Sequence, residues 1–270
     1  GIELEEAVTI NGHKIKGFKG DYITKKIKKI GLYEKTTLEF VRHYLKDIKE
    51  PVIADIGANI GNHTLDFSTY AKKLFSFEPV GIIFKVLTEN IEANQIKNVW
   101  VVNRALSDKE GMDKIYLCEN NIGASSIFNR DGVDLSVDIV KIVGDDFFGK
   151  EKIDKLDFIK IDVEGHEKYV LKGLMETIKK YRPTILMEWD DVGSTAVFND
   201  DGLLDELRKE YNIHVLGNNC DYEYWEGKPL AKARRKFSKL FMPKKACLYH
   251  FDASRVYRNI LLVPNRGSCV

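Results

Sequence analysis

The sequence has no stretch of about 18 apolar residues, the least that would cross a bilayer as a helix, so no transmembrane segment is expected. Its start, Gly1-Ile-Glu-Leu-Glu-Glu, lacks the basic and apolar blocks of a secretory leader, which points to a cytoplasmic protein. Only four cysteines occur, Cys118, Cys220, Cys247 and Cys269, without CxxC spacing or histidines at zinc-ligand intervals. Neither a structural zinc nor a disulfide framework is indicated. Charge of one sign is also lacking: 42 basic against 41 acidic side chains leave +1, which argues against a nucleic-acid binder working by general phosphate attraction. No P-loop, Gly-x-Ser-x-Gly or kinase signature is present to support phosphoryl transfer or serine hydrolysis. What is present suits a folded core, with 44% hydrophobic and 31% charged residues in a chain of 270.

No repeat, low-complexity tract or Pro/Gly/Ser linker divides the chain. Residues 1–50 read as a lead-in, in which Leu38, Val41, Leu45 and Ile48 mark one face of a helix. Residues 51–270 alternate short apolar runs with amphipathic ones, the signature of βαβ units around a mostly parallel sheet. Six runs predict strands: Val52–Ile56, Lys73–Phe77, Trp100–Ala105, Asp157–Ile161, Thr184–Glu188 and Ile213–Leu216, with Ile260–Val263 as a seventh. Between Ile115 and Ile142 the rhythm changes to short strands, Ile115-Tyr-Leu, Ser126-Ile-Phe and Val137–Ile142, separated by turn residues, so an inserted β segment is expected.

The stretch from Pro51 to Thr64 is a hydrophobic strand ending in Asp55 that runs through Gly57, Asn59 and Gly61 into a helix at Asn62. Glycines there let backbone approach a ligand, and the helix start offers free N–H groups. Glu78 ends the second strand about 20 residues on, where a carboxylate can accept both hydroxyls of a ribose. Ser107 and Asp108 follow the third strand, placed to bond an adenine amino group or line its pocket. A dinucleotide fits poorly: the turn lacks the G-x-G-x-x-G arrangement, and Asp55 would repel a pyrophosphate. S-adenosylmethionine has ribose and adenine, no phosphate, and a sulfonium and ammonium that Asp55 would favour, so methyl transfer is the expected chemistry.

Five blocks in series resemble the FkbM family of S-adenosylmethionine-dependent methyltransferases. They are Asp55-Ile-Gly-Ala-Asn-Ile-Gly-Asn-His-Thr, Phe77-Glu-Pro, Ala105-Leu-Ser-Asp, Asn121-Ile-Gly-Ala-Ser-Ser and Phe158-Ile-Lys-Ile-Asp-Val-Glu-Gly-His-Glu. The resemblance runs from about Pro51 to Glu188, takes in Arg182-Pro-Thr-Ile-Leu-Met-Glu, and resumes at Asn259-Ile-Leu-Leu-Val-Pro. It implies an α/β, Rossmann-like class I methyltransferase fold: seven mostly parallel strands, helices on both faces, and an antiparallel last strand. It also implies O-methylation of a sugar, glycan or secondary metabolite, and brings Gly123, Ser125 and Ser126 near the site.

The block from Leu156 to Glu167 delivers Asp162, Glu164, His166 and Glu167 to the carboxyl edge of the sheet. A hydroxyl acceptor needs a base, and Asp162, Glu164 and His166 are candidates, with Glu188 at the end of strand five able to orient acceptor hydroxyls or a water. Asp162 could instead serve the cofactor, and His166 could be a helix-surface histidine paired to an acid. A divalent metal is compatible with these residue types, but the cluster with a distant Glu188 fixes no ligand number, so no metal is expected. Trp189 either stacks on a sugar ring or packs in the core.

A basic insertion at about 228–248, rich in Lys and Arg from Lys232 to Lys245, reads as a loop. Alternatively its Phe237, Leu240 and Phe241 dock it on an anionic membrane, or Arg234 and Arg235 grip a phosphate-bearing or lipid-linked acceptor. The acceptor expected is thus a small molecule or glycan. The competing functions are N-methylation of a small amine and a catalytically silent S-adenosylmethionine-binding scaffold.

Overall fold

The computed structural model describes residues 3–118, 121–126, 135–190, 195, 198 and 200–265. The chain opens with a hairpin, β1 (Leu4–Val8) and β2 (Lys14–Phe18), then helices α1 (Tyr22–Ile30) and α2 (Lys35–Leu45). Next come β3 (Val52–Ile56), α3 (Asn62–Ser68), β4 (Lys73–Phe77), α4 (Gly81–Ala93) and β5 (Val99–Val102). A second sheet follows, formed by β6 (Ala105–Ser107), β7 (Gly111–Cys118), β8 (Asn121–Ser126) and β9 (Leu135–Val143). The main fold resumes with α5 (Gly144–Lys150), β10 (Phe158–Ile161), α6 (Glu167–Lys172), α7 (Met175–Tyr181) and β11 (Thr184–Trp189). It ends with α8 (Leu203–Glu210), β12 (Tyr211–Asn218), α9 (Tyr222–Trp225), α10 (Ala231–Phe241), β13 (Ala246–His250) and β14 (Tyr257–Pro264).

The main sheet has the order β13-β12-β14-β11-β10-β3-β4-β5. Strands β5, β4, β3, β10 and β11 pair in parallel, and β14 runs antiparallel between β11 and β12. This is the doubly wound arrangement expected, with β13 added antiparallel at the edge. The central strands explain themselves: Val52–Ile56 and Phe158–Ile161 are buried at every position, as strands covered on both faces must be. The chain leaves β3 toward β4 and β5 on one side and continues from β10 to β11 on the other. That switch opens a crevice beyond the carboxyl ends of β3 and β10.

Two sequence expectations need amending. The run Trp100–Ala105 splits into β5 and β6 in different sheets. Asn103 makes the break, its side-chain amide donating to the carbonyls of Glu78 and Pro79 at 2.8 and 3.0 Å. The basic loop is a helix, α10, anchored where Ser238 Oγ donates to the Asn219 carbonyl at 2.9 Å. The inserted β segment is the second sheet, although Asn120, Ile127 and Phe128 lie outside the described residues.

The first 50 residues share the core of the sheet. Ile15, Phe18 and Ile27 pack with Ala58, Ile60 and Leu87, while Leu38, Val41 and Leu45 of α2 pack with Ile53, Phe67 and Phe158. Among the described residues, no helix is long and apolar enough to cross a membrane.

Candidate functional site

The crevice holds a cavity of about 1030 Å³ including its open mouth, whose lining includes Asn59, Glu78, Asp162, Glu164, His166 and Glu188. Its floor is the turn after β3. Gly57 has φ +81°, and a Cβ there would stand 1.8 Å from the Asp162 carbonyl oxygen, so only glycine lets the two strand ends pass. Asn59 is left-handed at φ 52° and presents its N–H to Glu78. Asn62, on the first turn of α3, lines the cavity but spends its amide on the Tyr33 backbone, accepting from N at 3.2 Å and donating to O at 3.0 Å.

Glu78 stands where the sequence reading put it, at the end of β4 and facing the cavity. One carboxylate oxygen accepts from Asn59 N at 3.0 Å and the other from Val80 N at 2.9 Å. Each oxygen keeps a second lone pair for a diol. Burial raises its pKa to about 7, against those two hydrogen bonds.

Asp55 does not line the cavity, so it makes no direct contact there. It is fully buried, accepts from Thr64 Oγ1 at 2.7 Å, and lies 3.3 Å from Lys160 Nζ. Strand register is the reason, because Lys160 of β10 and Ser76 of β4 both sit beside Asp55 of β3. Lys160 is a site residue that the sequence reading missed. Its ammonium lines the cavity, donates to the Gly57 carbonyl at 3.2 Å and pairs with Asp162 at 3.3 Å. Burial alone would strip its proton, but Asp162, Asp55 and Glu34 more than offset this and raise its pKa. A lone Lys inside Phe158-Ile-Lys-Ile was the available signal, since a buried strand excludes an unpaired cation.

The carboxylates beyond β10 and β11 do converge. Oxygens of Asp162, Glu164 and Glu188 lie within 4.8 Å of one another, because β10 and β11 are parallel neighbours and Glu188 is distant only in sequence. Burial, then the charges of Asp162, Asp190, Glu164 and Glu167, push the Glu188 carboxyl up to about 12. The cluster is compact enough for a divalent cation or the cationic part of an organic ligand. Glu167 is turned away to hold the turn, accepting from Val163 N and Gly165 N at 3.1 and 3.2 Å.

His166 lines the cavity but is only 6% exposed, and burial lowers its pKa to about 4. That makes it a weak base. Its Nε2 meets Ser107 Oγ at 2.9 Å, and its Nδ1 has no protein partner. Ser107 and Asp108 therefore stand behind His166, outside the lining, where Ala105 and Leu106 contribute instead.

The lead-in segment closes one side of the cavity, which the sequence reading did not foresee. Tyr33 lines it and accepts from Arg258 at 2.7 Å, while Glu34 reaches His63 at 3.0 Å and Arg258 at 2.7 Å. Against the push of burial, these two partners hold the Glu34 carboxyl down at about 2.

The proposed acceptor contacts are dispersed. Trp189 is 3% exposed, donates to the Arg255 carbonyl and packs on Phe198 and Phe251, so it is a core residue and not a sugar platform. Arg234 and Arg235 are outside the cavity lining; Arg235 turns inward to the Cys220 carbonyl at 3.1 Å. Ser125 and Ser126 lie on β8, and their side chains fall outside the described placement.

The methyltransferase FkbM domain matches residues 55–224. Hexuronic acid methyltransferase AglP of Haloferax volcanii is 30% identical over 185 residues, 68% of this chain and 74% of that protein. Methyltransferase sdnD of Sordaria araneosa is 26% identical over 228 residues, covering 71% and 83%. A solved methyltransferase FkbM from Methylobacillus flagellatus KT aligns with TM-score 0.47 at 16% identity, covering 79% of this chain and 44% of its own length. This chain thus spans less than half of that solved protein.

Proposed function

Because the chain belongs to the methyltransferase FkbM family, we propose that it moves a methyl group from S-adenosylmethionine to a hydroxyl oxygen of a sugar or glycan. The observation that carries this reading is the pairing within one cavity of a diol-accepting carboxylate, Glu78, with the compact acid cluster Asp162, Glu164 and Glu188. A donor with a ribose and a positive sulfur suits both ends. Glu78 would hold the ribose, and Ala105 and Leu106 with Ile83 and Ile115 give the adenine an apolar wall. The donor supplies an electrophilic methyl on a cationic sulfur, and the rest is alignment and proton removal.

The cluster has two uses here. Its charge favours the donor's cationic part from the cavity wall itself, which buried Asp55 does not line. Once that positive charge lowers the cluster's proton affinity, an oxygen of Glu188 or Asp162 is free to take the acceptor's hydroxyl proton as the new carbon–oxygen bond forms. His166, kept neutral by burial and held by Ser107 through Nε2, shapes the cavity wall and does not serve as the base. The hexuronic acid named for the Haloferax relative supports a sugar acceptor.

The test is incubation with methyl-labelled donor and a panel of free sugars, nucleotide sugars and glycolipids, with a chelator present and products read by mass spectrometry. Label on a sugar oxygen is expected. Label on nitrogen, or tight donor binding without transfer to any acceptor, would replace this reading, and activity that vanishes with chelator would turn the acid cluster into a metal site.

A further inference from the structure

The helix α10 turns an apolar stripe toward solvent. Ala233, Phe237 and Leu240 follow one another at steps of four and three residues, which places them along one side of the helix, and Leu230 caps its start. Leu230 is 75% exposed, Phe237 57% and Leu240 65%. The opposite side faces the protein, where Ser238 is fully buried and Arg235 binds the Cys220 carbonyl. An amphipathic helix of a folded core does the reverse and turns its apolar side inward.

Charge flanks the same stripe. Lys232, Lys236 and Lys239 border it on one side and Arg234 on the other, all exposed and none with an acidic partner among the described residues. No Asp or Glu occurs from Gly227 to His250, although the chain as a whole is almost neutral. The position of the helix adds to this. It follows the carboxyl end of β12, which runs in the same direction as β3, β10 and β11, so α10 and the cavity mouth share one edge of the sheet.

We propose that α10 is an interfacial helix that docks the protein on an anionic lipid surface, its Phe237–Leu240 stripe entering the headgroup boundary and its cations meeting lipid phosphates. Exposed aromatic and aliphatic residues framed by lysines match that boundary in both polarity and charge. A purely ionic partner, such as a nucleic acid or free phosphate, would leave the stripe in water. Docking would turn the cavity mouth toward acceptors held at the membrane. The inference is independent of methyl transfer, because it concerns only where the protein partitions.

Co-sedimentation of the full chain with vesicles tests it directly. Binding is expected to vesicles of phosphatidylcholine and phosphatidylglycerol at about 7:3, and not to phosphatidylcholine alone. The double variant F237S/L240S and the charge reversal R234E/K236E should each weaken partition about tenfold or more. All four side chains are exposed, so unchanged thermal midpoints will certify folding. Failure of the wild type to bind anionic vesicles overturns the proposal. So does binding that survives F237S/L240S but is lost on charge reversal and is competed by heparin, which would describe a general polyanion patch.

Discussion

His166 shows how burial decides what a residue can do. In the unfolded chain its imidazole takes a proton near pH 6.5, whereas in the folded protein burial, aided by Lys141, keeps it neutral down to about pH 4. The unfolded state therefore binds the extra proton in that window, and the histidine's contribution to stability is complete above 6.5 and lost as pH falls toward 4. The loss is about 2–3 kcal/mol for a shift of this size. Replacing it, His166→Gln, should narrow the stability gap between wild type and variant as pH falls from 7 to 4.5, measured by urea midpoints. A gap independent of pH would contradict the assignment. The positions of Glu78 and Gly57 at the crevice were legible in the sequence because they follow from local spacing. Asp55 was misread because its partner, Lys160, lies in another strand, and register is invisible until the sheet is assembled.

At the scale of elements, the three central strands carry a polar stripe through an apolar sheet, running from Ser76 through Asp55 to Lys160. Thr64 bonds to both Asp55 and Ser76, and Lys160 ties the stripe to Asp162 at the cavity. Removing one member of a buried charged set leaves the others uncompensated, so Lys160→Met should cost about 3–5 kcal/mol. Adding Asp55→Asn to that variant should restore part of the loss. Chemical denaturation of both variants checks this, and a cost for the single change below about 1 kcal/mol would mean the stripe is not a unit. Strand periodicity gave β3, β4 and β10 almost to the residue, since buried parallel strands are short continuous apolar runs. It failed at Asn103, where a side-chain hydrogen bond across the chain diverts the strand, and at α10, where basic composition hid a helical period.

For the whole molecule, the proposed donor binding is linked to solution pH through Glu188. With its carboxyl pushed up to about 12 by burial and the neighbouring acids, Glu188 retains its proton at neutral pH. A cationic donor displaces it, so uptake of S-adenosylmethionine should release up to about one proton and tighten as pH rises. The demethylated product, whose sulfur is uncharged, should release fewer. Calorimetry in two buffers of different ionisation enthalpy counts these protons, and equal heats in both would remove the linkage. The sequence named Asp162, Glu164 and Glu188 as candidates for one site, but across 26 positions it gave neither their approach within 4.8 Å nor the burial that shifts Glu188.

The contact of Tyr33 with Arg258 spans 225 positions, with Glu34 completing the junction. During synthesis, then, the glycine turn, Glu78 and Asp162 emerge long before the strand that carries Arg258. The wall they need stays unfinished until β14 has cleared the ribosome, so a polypeptide interrupted anywhere before that strand would expose a gaping, half-built chamber to the cell's proteases.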